Sequence, residues 1–241
     1  MVQMEPVGER LNTTAEAVRW SRLERATGIT GLVSVVVLFT PIIAISSLGE
    51  PPLDAAGADI ATFFRAADAG WVDAAEATAS LGILAFLWFV VGLALLLQRA
   101  EGQPAWRSTI ALVSGVLLAA YGVLDASWDA AFHRGTEIDE TLAAYAFDVG
   151  NIGFANSWLA LASLSLTAGS VIVSTGAQPR WTGWSAIGIG IGLVLARYFW
   201  FVEGLWFVPY GLFWVWVITV CVRLIRGSSA STGSRTMGGQ T

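Results

Sequence analysis

WRSTIALVSGVLLAAYGVLDASWDAAFHRGTEIDETLAAYAFDVGNIGFAN, Trp106 to Asn156, is the stretch that decides the fold. It opens as an apolar run to Leu124 whose far end carries Asp125, Asp129 and His133 at steps of four. On one helix such steps drift little in angle and climb about 6 Å each, so the three side chains are expected on one face. Trp106 and Trp128 are separated by about 33 Å of helix, close to the distance between the two aromatic belts of a bilayer. This places Asp125 about one turn inside the apolar layer, Asp129 at its edge and His133 beyond it. An acidic loop from Arg134 to Glu140 follows, and the next helix brings in Asp148, Asn151 and Asn156.

The rest of the composition agrees with a membrane-spanning reading. Apolar residues make up 55% of the 241 and charged residues 13%, with mean hydropathy +0.65. A soluble domain carries roughly 25% charged residues, which excludes that class. The 12 Trp and 26 Gly match interface belts and close helix packing. The single cysteine, Cys221, has no partner for an intrachain disulfide or a cysteine-rich zinc site. There is no basic patch for nucleic acid.

The expected architecture is all-α: a polytopic transmembrane bundle of six spans, approximately 27–48, 74–98, 106–130, 153–174, 184–201 and 206–226, with short amphipathic surface helices. Residues 1–26 read as a cytoplasmic segment with its own short helix, started by the capping box Thr13-x-x-Glu16, rather than as a signal peptide. Residues 227–241 are Gly/Ser-rich and read as a disordered cytoplasmic tail. Between the first two spans, Ile60, Phe63, Phe64, Ala67 and Trp71 recur at helical spacing, which predicts an amphipathic helix lying on the outer membrane surface. The run from Glu140 to Ser174 is too long for one crossing, about 50 Å, and is divided at Gly150 and Gly153 into a rim helix and a span. Gly204 is expected to make the tight turn between the last two spans.

Arginine sets the orientation. Arg10, Arg19, Arg22, Arg25, Arg99, Arg107, Arg180, Arg223, Arg226 and Arg235 fall on the side of the termini, and only Arg65, Arg134 and Arg197 elsewhere. Both termini are therefore expected in the cytoplasm. Most of the acids fall at the opposite end, where they read as solvated surface.

Within the spans, Arg197 is the deepest charge and calls for a partner on another helix, with Asp125, Glu76 and Asp148 the candidates. Together with Asp129, His133, Asn151 and Asn156 these residues predict an outward-facing acidic or polar pocket that binds or passes a small solute or a proton. Two other readings stand beside it. Asp125, Asp129 and His133 offer one N and two O donors for a divalent metal and so a metal-assisted membrane hydrolase, although the chain lacks the dense histidine of such enzymes. The alternative without chemistry is an accessory subunit with a membrane partner or a homo-oligomer. No cofactor is expected. The seam Asn156, Ser163, Thr167, Ser170 and Ser174, and the glycines Gly188, Gly190 and Gly192, read as close-packing surfaces.

Six apolar spans, a long segment after the first of them, and Gln178-Pro179-Arg180-Trp181-Thr182-Gly183-Trp184 leading into a glycine-rich span resemble an uncharacterised bacterial family. Its members are small six-helix integral membrane proteins of unknown function, frequent in actinobacteria. The resemblance covers about residues 27–226; it implies a bacterial plasma membrane and brings no catalytic residues with it.

Overall fold

A computed structural model describes residues 7–66, 69–124, 126–202 and 204–236. Every regular element among them is helical: α1 (Val7–Ser46), α2 (Gly57–Arg65), α3 (Ala69–Glu101), α4 (Trp106–Leu124), α5 (Ser127–Arg134), a 3-10 turn (Gly135–Glu137), α6 (Glu140–Thr175), α7 (Arg180–Tyr198) and α8 (Phe207–Thr236). The long helices close a ring in which α1 packs on α3, α3 on α4, α4 on α6, α6 on α7, α7 on α8 and α8 back on α1. Buried Phe89, Trp158, Leu161, Leu193, Phe213 and Val217 fill it.

Among the described residues five helical stretches are long and apolar enough to cross a membrane: Ala15–Ser46, Trp71–Glu101, Trp106–Glu137, Glu140–Thr175 and Phe207–Gly227. The outside of the ring is apolar too, with Val36, Leu81, Trp88 and Leu117 all more than 60% exposed. Such a surface suits hydrocarbon rather than water. The sixth expected span, α7, is not among the five, because Arg197 and its recurrent glycines lower its apolarity.

Helix ends are tied together at one end of the ring, and these ties fix its layout. Arg99 at the end of α3 lies over the Trp20 ring of α1, 4.3 Å from its centroid. Arg107 at the start of α4 donates to Ser174 Oγ near the end of α6 at 3.0 Å. Arg223 on α8 donates to Gln178, in the turn before α7, at 3.2 Å. At the opposite end Trp206, just before α8, packs edge-on against Phe154 of α6 at 5.5 Å. Helix α7 therefore runs from the arginine-bearing end to the other.

The tightest polar unit is also at the arginine-bearing end. The Glu101 carboxylate takes Arg107 Nε at 2.8 Å and Arg107 N at 3.3 Å on one oxygen, and Ser108 N at 2.9 Å and Ser108 Oγ at 2.5 Å on the other. It thereby satisfies first-turn N–H groups of α4 and sits at the favourable end of that helix's dipole.

Several expected boundaries change. Helix α1 is continuous from Val7, so no separate surface helix precedes the first span. Of the span expected from Trp106 to Ala130, Trp106–Leu124 form α4 and the residues from Ser127 belong to α5, with Asp125 outside the described residues. The division at Gly150 and Gly153 is absent: α6 is unbroken over its 36 residues. Gly150 serves close approach instead, since a Cβ there would overlap the Trp128 indole. The amphipathic α2 turns its apolar face into the protein, not onto a membrane surface, with Phe64 0% and Phe63 4% exposed. It packs with Trp128, Phe132, Ile138 and Phe147 into a second apolar cluster. Helix α8 continues to Thr236, past the Gly227 at which a disordered tail is expected. The turn expected at Gly204 is present, with φ +78°.

Close packing of α6 on α7 uses one of the expected glycines, Gly190, together with Gly169 and Gly183. A Cβ on Gly169 would come within 2.6 Å of the Gly183 carbonyl, and one on Gly190 within 3.0 Å of the Ala162 carbonyl, whereas Gly188 faces open space. The hydroxyl seam of α6 faces α4: Ser114 donates to Ser163 at 2.7 Å, while Thr167 and Ser170 donate to carbonyls of their own helix.

Candidate functional site

The acid-bearing end contains a cavity of about 590 Å³. Its wall is aromatic because α1, α5, α6 and the start of α8 each contribute a ring: Phe39, Trp128, Phe154, Trp158, Trp206 and Tyr210. Trp158 stacks on Trp206 at 5.7 Å with 20° between the planes, and Phe154 meets Trp158, Trp206 and Tyr210 edge-on at 5.3–5.5 Å. These offset and edge contacts are the arrangements the ring quadrupoles favour, so the wall is set by mutual packing. Trp158 is only 2% exposed, and the indole N–H groups of Trp158 and Trp128 find no hydrogen-bond partner among the described residues. Buried unpaired donors are costly, and a ligand oxygen entering the cavity would relieve that cost.

Among the described residues Glu50 is the only charged one lining this cavity. It follows the end of α1, where Gly49 turns the chain with φ +81°, and Pro51 and Pro52 of the next segment line the cavity beside it. Its carboxylate is open on one side, yet loss of surrounding water raises its pKa. Sequence reasoning counted Glu50 among the solvated acids. The available signal was its place, directly after an apolar run and before two prolines.

Of the residues singled out from the sequence, Asn151 lines the cavity, and its side chain donates to the Phe147 carbonyl at 2.9 Å. The structure brings the others together in pairs. Arg197, in the last turn of α7, donates to Asn156 Oδ1 from Nε at 2.9 Å and from Nη2 at 2.7 Å. Its neighbour across the helices is thus an amide oxygen rather than Glu76 or Asp148. Asp148 is exposed on α6, and Asp129 is half-buried in the first turn of α5. Asp125 lies outside the described residues, and so does the ladder it was expected to begin.

His133 meets Glu76, its Nε2 3.2 Å from Oε2, and Asp73, its Nδ1 3.7 Å from Oδ1. These three groups place one ligand atom each within 4.8 Å of one another and are the residues that could hold a metal. The two ring nitrogens address different carboxylates, however, and the three side chains are 48%, 28% and 66% exposed for His133, Glu76 and Asp73. That is the geometry of a surface ion-pair bridge between α5 and α3. Comparison with known proteins adds no further constraint, since no protein-family model, no curated protein and no solved structure matches the chain.

Proposed function

We propose that the chain is a multi-pass membrane protein that binds a small amphipathic organic cation in the aromatic cavity of its acid-bearing end. The observation that carries this reading is an aromatic wall with Glu50 as the one charge on it among the described residues. Ring faces attract a cation through their quadrupoles, a single carboxylate completes the charge, and apolar walls hold the organic part. The unpaired Trp128 and Trp158 N–H groups suit an oxygen on the same molecule. Binding, not catalysis, is the activity in this reading, and Glu50 is the group on which a proton and the cation would compete.

The topology that goes with it has six crossings, both termini in the cytoplasm of a bacterium, and the cavity facing outward. Its support is the course of α7 from one end of the ring to the other, together with the arginines at one end. Cysteines at Ser229 and Thr136, in a Cys221→Ser background, should label from opposite sides of intact cells. Labelling of both from outside overturns the topology and leaves the cavity reading standing.

The cavity is tested by titrating the protein in nanodiscs, by tryptophan fluorescence, with benzyltrimethylammonium and its uncharged isostere neopentylbenzene. The cation should bind more tightly, and Glu50→Gln should weaken it by about tenfold while leaving the isostere unchanged, as expected for a partly desolvated cation site. Equal binding of the two compounds, indifferent to Glu50→Gln, would remove the proposal.

A further inference from the structure

At the other end of the molecule a second cavity, of about 480 Å³, opens between α1, α3, α8 and the turn before α7. Its inner lining is apolar and buried: Leu93 and Leu97 of α3, Ile172 of α6, and Val220 and Leu224 of α8 are all at most 7% exposed. Polar side chains also line it, namely Arg99, Arg223, Gln178 and Glu24. An apolar cleft with guanidinium groups where the apolar helices end has the two-part chemistry of a phospholipid, with chain below and phosphate at the boundary.

We infer that this cleft is a binding site for an anionic phospholipid, its phosphate held by Arg99 and Arg223 and its acyl chains lying along the apolar floor. Charge complementarity selects this occupant. Arg19, Arg22 and Arg25 of α1, Arg99 of α3, and Arg223 and Arg226 of α8 belong to the helices that bound the cleft, against Glu16, Glu24 and Glu101, the last already held by Arg107 and Ser108. Among the described residues Arg223 commits its Nε–H to the neutral Gln178, and Arg99 lies over the neutral Trp20 ring. Most of each guanidinium's five N–H donors are thus left for an acceptor. Glu24 opposes the phosphate: it interacts with Arg99 and competes for it. The site therefore gains affinity when Glu24 is neutralised and loses it when the arginines are. It depends on the helices spanning a bilayer but not on the aromatic cavity.

The test measures binding of phosphatidylglycerol and phosphatidylcholine to the purified full chain by native mass spectrometry, with inorganic phosphate as competitor. The wild type should retain phosphatidylglycerol preferentially. Arg99→Gln with Arg223→Gln should reduce that preference by roughly twenty-fivefold, about fivefold for each arginine near an anionic headgroup. Glu24→Gln should increase it by about threefold, and Arg134→Gln at the opposite end should leave it unchanged. If the double variant does not fold, the rise with Glu24→Gln carries the test, and its absence overturns the proposal. A preference insensitive to all three substitutions, or abolished by millimolar phosphate, also overturns it. Loss of cation binding with Glu50→Gln bears only on the other end.

Discussion

The two ends of the ring are held by different physics. At the arginine-bearing end one carboxylate, Glu101, accepts four hydrogen bonds and Arg107 continues to Ser174, so α3, α4 and α6 are fixed by directional, charge-assisted contacts. At the acid-bearing end α2, α5 and α6 meet through Phe63, Phe64, Trp128, Phe132 and Phe147 with ring centroids 4.9–6.4 Å apart. Aromatic contact is tolerant of small shifts, whereas a charge-assisted bond loses strength steeply with distance and angle. The stapled end sets the register of the helices, and the aromatic end can leave a large cavity and still pack.

Removing the staple should have the largest effect. The Glu101 side chain is 3% exposed and Arg107 24%, so Glu101→Gln breaks a pair of which one member still reaches water. The expected loss is about 3 kcal/mol, the low end for a broken buried pair, read as a fall in unfolding free energy in mild detergent. A variant as stable as the wild type would mean that Arg107 and Ser108 hold α4 without the carboxylate.

At the aromatic end the comparable disruption is Gly150→Val. The added carbons would overlap the Trp128 indole and approach Ser127, both of which line the cavity. Overpacking of this kind costs about 1–3 kcal/mol, and the expected value is near 2. The sharper readout is ligand binding, because α5 must shift and the cavity wall with it. Gly150→Val should abolish cation binding while leaving the loss caused by Glu101→Gln unchanged, which separates the two ends. A variant with normal binding would mean that Trp128 moves without disturbing the wall.

Gly150 also shows what the sequence could and could not reveal. Hydropathy found the long apolar helices, because a span is a local property of about twenty residues. It misread Gly150 and Gly153 as a break, because a glycine that ends a helix and one that admits a neighbouring indole look alike without the neighbour. Of the Asp125, Asp129 and His133 ladder, Asp129 and His133 stand on α5, and Asp125 lies outside the described residues. The partners of His133 come from α3, 57 residues from Glu76 in sequence, a distance that spacing cannot bridge. Amphipathic α2 was legible as a helix; whether lipid or Phe132 and Phe147 would cover it was not.

Arg197 and Asn156 join α7 to α6 near the aromatic end by two hydrogen bonds to one amide oxygen. Asn156 is exposed and Arg197 half-buried, so the expected cost of Arg197→Leu is about 1 kcal/mol. Asn156→Leu should cost less, and the double variant should fall short of the sum by about 0.5 kcal/mol or more. Full additivity would mean that Arg197 acts through a group other than Asn156. If Arg197→Leu instead cost as much as Glu101→Gln, the aromatic end would rely on polar staples after all, and the contrast between the ends would fail.

The smallest effect is expected at His133. Its bridge to Glu76 and Asp73 ties α5 to α3, but the histidine is 48% exposed and Asp73 66%, and exposed ion pairs contribute about 0–1 kcal/mol. His133→Ala should therefore lower stability by roughly 0.5 kcal/mol. Because the screening length falls to about 3 Å in 1 M salt, the difference between wild type and variant should vanish there. The same pair of proteins tests the metal reading of these groups. A ligand that binds only the folded state raises its melting temperature in a concentration-dependent way. Added Zn²⁺ should leave the wild type and His133→Ala equally unmoved if the bridge is an ion pair alone. A rise confined to the wild type would turn the bridge into a metal-held latch on α5, the helix that carries Trp128 into the cavity wall, and the aromatic end would then have a staple of its own.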